Sequence, residues 1–395
     1  MFPDFNIHST PLLILAIQGL LFTLLLLWRY VKNQNNTDLF LSLILLIAVW
    51  HQTKYTIGFM AWYDAYRNTK INYFLIDLSF FLAPLLYFYI KSVTLPHFRF
   101  QRKYGYHFIP GILYILFKIF VYLYDASQPG FENVQNGYLT LNLEFEYSMI
   151  LFSFLMKMQI AIYLAFTFQH FFQYRSKIQH IFSNAYSLQL NWLRNFLFIY
   201  TGLFIYMFIQ DLINEMITDL SWMQEWWYYL FTSIAITYVG MVGYFTDTNK
   251  LNEINPNKVD VLHLAILESG NSDNNSKKAD INQLKDRLEV LTKYMETEKP
   301  YLDPNLNLID LAKSLDMTRA QLSEVINLGI GKNFNDFINE RRVEAVKLMI
   351  KNERHKELNL LGLAYDCGFN SKSTFNRVFK KWTRQSPTEY IKQST

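Results

Sequence analysis

A chain of 395 residues has room for two or three domains, and 51% hydrophobic against 18% charged residues excludes a wholly disordered one. The single cysteine, Cys367, excludes an intrachain disulfide and a cysteine-based metal centre; beside Gly368-Phe369 it is expected to be a small buried thiol. A net charge of +4 is too small to characterise the whole chain, but it is unevenly placed: between Ile330 and Thr395 thirteen Lys and Arg face seven Asp and Glu, which suits a polyanionic partner.

Up to Phe245 the chain is Phe, Leu, Ile, Tyr and Trp broken by short polar strips. Apolar stretches at Pro11–Trp28, Leu39–Trp62, Tyr73–Leu95, His107–Tyr124, Tyr147–Phe172, Leu190–Ile213 and Trp226–Phe245 each approach the ~20 residues a helix needs to cross ~30 Å of hydrocarbon. One such run would fit a buried helix of a soluble protein, but seven in succession predict a seven-span bundle over residues 1–247. The N-terminus lacks the basic region and cleavage site of a removable signal peptide, so the first run is expected to be a retained span.

Loop charge predicts the orientation. Arg29 and Lys32 follow the first run, Lys91, Arg99, Arg102 and Lys103 the third, Arg175 and Lys177 the fifth, and Lys250 the seventh. The segments after the fourth and sixth carry Asp125, Glu132, Glu144, Glu146, Glu215, Asp219 and Glu225 with no Lys or Arg, and only Arg67 and Lys70 oppose the pattern. The positive-inside bias places the N-terminus outside and the C-terminal region in the cytoplasm of a bacterial inner-membrane protein. Trp222, Trp226, Trp227, Tyr228 and Tyr229 fit an outer interfacial belt.

Ionisable residues inside spans are costly unless paired or functional. Lys54, Asp77, Lys118, Lys157 and Asp211 all fall in the outer half or near the outer rim, so they form a candidate signal pocket. Three cations against two acids favour a small anionic or zwitterionic ligand. Structural pairing, such as Asp77 with a lysine, is the competing reading.

Residues 248–280 change character: Gly270-Asn271-Ser272-Asp273-Asn274-Asn275-Ser276 cannot bury a core and reads as a cytoplasmic linker. About 30 such residues have a random-coil span of roughly 30 Å. Ile281, Leu284, Leu288, Leu291 and Met295 then follow 3-4-3-4 spacing, a helix that packs on the following domain or, over two marginal heptads, dimerises.

Two helix-turn-helix patterns follow within the domain 281–395, at about 308–327 and 360–382. In the first, Leu308, Leu311, Ala312 and Leu315 form one apolar face. Asp316-Met317 makes the turn, and Thr318 with Gln321 makes a capping box that fixes the start of the second helix. Leu322, Val325 and Ile326 turn inward, leaving Arg319, Ala320, Ser323, Glu324 and Asn327 outside. In the second unit Leu360, Leu363 and Ala364 pack, Gly368 turns, Asn370 or Ser371 caps, and Phe375, Val378, Phe379 and Trp382 supply the core. Lys372, Ser373, Asn376 and Arg377 project outward, with Lys380 and Lys381 behind them. Arg, Asn, Gln and Ser near the start of such a helix suit base edges, and lysines towards its end suit phosphates. The candidate DNA-binding set is Arg319, Ala320, Gln321, Ser323, Glu324, Asn327, Lys372, Ser373, Thr374, Asn376, Arg377 and Lys380.

The texts "LIDLAKSLDMTRAQLSEVIN", "FNDFINERRVEAVKLM" and "LAYDCGFNSKSTFNRVFKKWTRQSPTEYIK" carry a family likeness. Leu302–Tyr390 resembles the DNA-binding domain of AraC/XylS-type bacterial transcription regulators, over roughly the last quarter of the chain. The resemblance implies seven helices, with two recognition helices entering successive major grooves on one DNA face. Asp316 and Arg384 stand where the family commonly has Gly; Asp tolerates a left-handed turn. The resemblance does not reach the membrane half.

The expected architecture is therefore all-α, a seven-helix transmembrane bundle followed by a cytoplasmic AraC-type domain. The expected function is membrane-anchored, non-enzymatic transcription regulation, coupling an extracytoplasmic or membrane signal to gene expression. Its expected partners are double-stranded DNA, the lipid bilayer, RNA polymerase and a second copy of the chain; no cofactor is expected. The alternative is a membrane transporter or lipid-acting protein whose DNA-binding domain regulates its own operon. The spans, however, offer no metal pair, phosphate loop or nucleophile–base pair, and His51 and His170 stand apart.

Overall fold

In the computed structural model the first long helix is inside-out relative to a water-soluble one, and this inversion organises the N-terminal unit. The structure describes residues 2–66, 70–95, 98–183, 190–246, 281–354 and 358–394; the expected linker 248–280 and Arg67 lie outside them. Helix α1 (Ser9–Asn33) buries Ser9, Leu12, Gly19, Thr23 and Leu26, while Ile14, Ile17, Leu21 and Leu24 are more than half exposed. A soluble helix would bury those branched side chains; a helix facing hydrocarbon turns them out and packs through small residues.

The remaining long helices are α2 (Asn36–Phe59), α3 (Leu82–Thr94), α4 (Ile109–Ala126), α5 (Met149–Ile181), α6 (Asn191–Met216) and α7 (Trp222–Phe245). Among the described residues seven helical segments, from Ser9–Asn33 to Trp222–Phe245, are long and apolar enough to cross a membrane, in register with the seven expected runs. The fifth is far longer than its apolar run, extending over Thr140–Ile181.

Polar stitches fix the ends of this bundle. Arg29 grips Asp38 of α2 through Nε at 2.7 Å and also donates to the carbonyls of Tyr244 and Gly243 in α7, so one guanidinium ties three spans. Asp125, fully buried at the end of α4, accepts from Tyr73 Oη at 2.8 Å and from the backbone N–H groups of Leu139 and Thr140 at 2.7 and 3.0 Å.

The second compact unit consists of Phe172–Leu190 together with Leu251–Thr395. Its described C-terminal part contains seven α-helices, six of them within or overlapping Leu302–Tyr390: α8 (Ile281–Thr297), α9 (Leu308–Ser314), α10 (Arg319–Glu324), α11 (Phe334–Lys351), α12 (Leu360–Asp366), α13 (Lys372–Thr383) and α14 (Pro387–Ser394). Helix α10 continues into a wider π-helical turn, Val325–Ile330, closed by Gly331. Leu291 and Met295 of α8 are buried in the first helix-turn-helix core, with Leu284 and Leu288 packed against it, so the 3-4-3-4 seam serves the domain's own interior.

Two cores share α11. Phe334, Phe337 and Ile338 belong to the first, and Val343, Val346 and Ile350 to the second. At 1.5 Å per residue the 18-residue helix is about 27 Å long, enough to serve both. Cys367 is buried in the second core, and burial pushes its thiol up to about 12, as expected of an inert packing residue.

Gly368 and Gly331 offer a paired test. Both have left-handed backbones, at φ +84° and +75°. A Cβ at Gly368 would lie 2.4 Å from the carbonyl oxygen of Tyr301, whereas one at Gly331 would meet nothing within 4 Å. Gly331→Ala is expected to cost about 1 kcal/mol, the left-handed penalty alone. Gly368→Ala adds a backbone clash and is expected to cost more than about 3 kcal/mol. Thermal unfolding of the solubilised chain, variant against variant, checks the ordering.

Candidate nucleic-acid interface and membrane cavity

Each recognition helix is started by a side chain that satisfies its orphan N–H groups. Thr318 Oγ1 accepts from Gln321 N at 3.2 Å while Gln321 Oε1 accepts from Thr318 N at 2.9 Å, the capping box the sequence predicts. Asp316 reaches the preceding turn at φ +49°. Ser371, not Asn370, caps α13, accepting from Thr374 N at 3.2 Å.

Helix α13 divides cleanly. Phe375, Val378 and Phe379 are buried, while Lys372, Ser373, Asn376, Arg377 and Lys380 are exposed along one stripe. Thr374 is a correction: it is only 6% exposed, and its hydroxyl accepts from Ser371 Oγ at 2.8 Å, so it faces the cap and the core rather than a groove. Lys381 pairs with Asp336 of α11 at 2.7 Å, bracing α13 against the shared helix. In the first unit Ala320 and Asn327 are exposed, and Arg319, Ser323 and Glu324 are half-buried. Asn327 Nδ2 donates to Ser323 Oγ at 3.2 Å. Gln321 commits its amide oxygen to the cap, which leaves it less to offer a base.

Between the units sits Arg342, 2% exposed. Nε donates to the carbonyl of Tyr301 at 2.7 Å, and Nη2 donates to the carbonyl of Asp303 at 2.7 Å and to Ser183 Oγ at 3.1 Å. Burial pulls its guanidinium down to about 10, opposed by the charge of Asp303. A Cβ on Gly368, the turn of the second unit, would stand 2.9 Å from Arg342 Nε. Entry loop, shared helix and second turn therefore meet at one guanidinium.

Ser183 is the residue that sequence reasoning missed. The polar run Gln173, Arg175, Ser176 and Lys177 ends the apolar stretch at Phe172, so the reading stops there. A signal was present: Tyr174, Ile178, Ile181 and Phe182, at helical spacing, are all buried, with Ser183 fully so.

In the membrane unit the five expected pocket residues fall into two groups. Lys157 pairs with Asp211 at 2.8 Å. Lys118 makes a buried ion pair with Glu144, and Asp77, Lys118 and Glu144 are the charged neighbours of Lys54. Asp77 Oδ1 lies 3.9 Å from His51 Nδ1, and His170 Nε2 is 2.8 Å from Thr94 Oγ1. Including Glu144 brings the tally to three cations and three acids, a balanced set where the expectation of an anionic or zwitterionic ligand counts three cations against two acids. Of the five, Asp77 alone lines the cavity within the bundle. That cavity, about 980 Å³ with its open mouth, has walls such as Leu45, Ile160, Phe196 and Leu203 and a few polar groups, among them Asp77, His51, Tyr228 and Thr232.

Comparison with known proteins places the C-terminal unit. The helix-turn-helix domain family HTH_18 matches residues 311–393. An uncharacterised HTH-type transcriptional regulator of Staphylococcus aureus (strain COL) is 27% identical over 105 residues, which is 27% of this chain and 13% of that protein. The uncharacterised HTH-type transcriptional regulator YijO of Escherichia coli (strain K12) is 37% identical over 60 residues, 15% of this chain and 20% of its own length. The chain thus spans a small part of the curated relatives it matches. No solved structure matches it. The C-terminal region is an AraC-type helix-turn-helix domain, and it follows a region of seven helices long and apolar enough to form a membrane domain.

Arg384 ends α13 at φ +64°, its N–H bonded to Lys380 O at 3.0 Å, where a glycine would sit without strain. Arg384→Gly is expected to stabilise the domain by about 1 kcal/mol. A lower melting temperature for this variant would contradict the assignment of strain there.

Proposed function

We propose that this chain is a membrane-anchored, sequence-specific regulator of transcription. The observation that carries the reading is the exposed stripe Lys372, Ser373, Asn376, Arg377 and Lys380 on a capped helix of a tandem helix-turn-helix domain. Ser373, Asn376 and Arg377 have the chemistry for base edges, and Lys372 and Lys380 that for phosphates. In the first unit Arg319, Ala320, Ser323, Glu324 and Asn327 take the corresponding place. Loop charge supports an extracytoplasmic N-terminus and a cytoplasmic domain, where double-stranded DNA and RNA polymerase are found.

The input of this regulator enters through the bundle. With its charged residues largely paired with one another and its cavity walls apolar, the unit suits an apolar or amphiphilic molecule that arrives through the bilayer and offers one hydrogen-bonding end to Asp77, His51 or Tyr228. Occupancy changes how the domain engages its sites.

Full-length chain in lipid nanodiscs, titrated with DNA recovered by genome-wide mapping, tests the DNA assignment. Arg377→Ala is expected to weaken specific binding about 10- to 100-fold and to relax sequence preference. Lys380→Ala weakens all sequences alike and makes the salt slope shallower. Absence of binding by the unmodified chain at every salt concentration sinks the reading. For the input, Ala235→Trp places an indole in the cavity and is expected to fix a reporter gene's output in one state. Unchanged regulation with this variant argues for a signal site elsewhere.

A further inference from the structure

The end of the fifth-span helix belongs to the DNA-binding unit. Helix α5 runs unbroken from Met149 to Ile181, and its residues from Phe172 onward, with Phe182 and Ser183, cluster with the C-terminal domain. Phe182 pairs with Asn307 in an isolated antiparallel bridge, immediately before α9. Ser183 is more deeply engaged. Its N–H and Oγ donate to the carbonyl of Leu306 at 3.3 and 2.6 Å, and its carbonyl accepts from Asn335 Nδ2 at 2.7 Å and Asn339 Nδ2 at 3.3 Å. Its Oγ also accepts from Arg342 Nη2 at 3.1 Å. Asn335 Nδ2 reaches the Phe182 carbonyl as well, at 3.1 Å.

This is a built site rather than a surface contact. Ser183, Asn307, Asn335, Asn339 and Arg342 are each no more than 2% exposed. Two buried asparagine amides of α11 donate to the tail's backbone carbonyls, a use that does not depend on which side chains the tail carries. Buried polar groups are rarely left without partners, so α11 has a slot shaped for a chain segment. The slot lies at Arg342, where the entry loop Tyr301–Asp303 and the Gly368 turn of the second unit also meet.

We infer that Phe172–Ser183 is a clasp by which the fifth-span helix seats in the junction of the two helix-turn-helix units and holds them in the relative position that DNA requires. Two helices reading one face of a duplex must stand about one helical turn, ~34 Å, apart, so a small change at the hinge is felt at both. Withdrawing the clasp removes the partners of the Asn335 and Asn339 amides and one of the three partners of Arg342, which loosens the junction between the units. The proposal rests on the DNA-binding reading above, but the seating of the clasp does not.

Hydrogen–deuterium exchange on the full-length chain in nanodiscs separates the two. In the unmodified protein, amides of 176–183 and of 301–307 are expected to be protected together. Ser183→Leu, too large and apolar for the slot, is expected to speed exchange in both segments at least tenfold and weaken DNA binding at least tenfold; Ser183→Thr keeps the hydroxyl and restores much of each. Free exchange of 176–183 beside a protected 301–307 in the unmodified chain overturns the clasp, and does so even if Ser183→Leu fails to fold. Unaltered DNA affinity in a folded Ser183→Leu protein, with its clasp released, overturns the positioning role. An unmodified chain that is protected but binds no DNA overturns both that role and the functional reading, and leaves the seating established.

Discussion

A guanidinium buried among backbone carbonyls is the constraint on which the DNA-binding unit depends. Arg342 is 2% exposed and held by the carbonyls of Tyr301 and Asp303 and the hydroxyl of Ser183. Its fall to about 10 means that keeping it charged inside the fold costs on the order of 3 kcal/mol. For a base with a lowered value, that cost applies in full below pH 10 and fades only above it, so the charge persists throughout the physiological range. Bonds to a charged donor, each worth about 1.5–3 kcal/mol, keep that net cost from being larger. The same arithmetic fixes the neighbours. The entry loop must turn its carbonyls inward, residue 368 must lack a side chain, and a hydroxyl must be supplied from outside the helix-turn-helix sequence.

The membrane unit solves the opposite problem. Hydrocarbon does not drive its helices together, so association rests on close packing and polar stitches. Gly240 lets α7 approach Phe22 of α1, and Gly243 lets it approach Leu41 of α2; a Cβ at either would come within 3 Å of those side chains. Arg29, Asp125 and the Lys118–Glu144 pair add bonds that would be worth little in water but are shielded here. Where such groups are already paired, the cavity is left with few free charges, and that directs attention to apolar ligands.

What could be read from residues alone follows the range of the forces involved. The seven spans depend on composition within about 20 residues. The recognition-helix starts depend on Thr318 with Gln321 and on a Ser371 cap, all local. Partnerships across long separations were harder. Glu144 lies in what reads as an outer loop, and its pairing with Lys118 needs the π-helical turn Thr140–Ser148 to bring it under α4. Thr374 counts with the DNA-binding set for its place near the start of the helix, but its hydroxyl is taken by the Ser371 cap. The role of Ser183 could not be read because its partners lie more than 120 residues away, although the apolar spacing of Tyr174, Ile178, Ile181 and Phe182 marks the helix before it through a charged stretch that resembles a loop.

The DNA-binding unit is discontinuous in sequence: spans six and seven fall between its first segment, Phe172–Leu190, and its second. The stretch 248–280 is one covalent attachment of that unit to the rest of the chain. A second covalent connection runs through α5, so the two attachments close a loop in the chain. The closure penalty grows only slowly with loop length, so the intervening spans and the long polar stretch are tolerated easily. Two attachments also differ in kind from one. A single tether conveys position alone, raising local concentration without conveying state. A helix that leaves the membrane unit and ends among the buried polar groups of Arg342, Asn335 and Asn339 has differential contacts in the seated and withdrawn forms, which is the requirement for a ligand in one unit to bias the other.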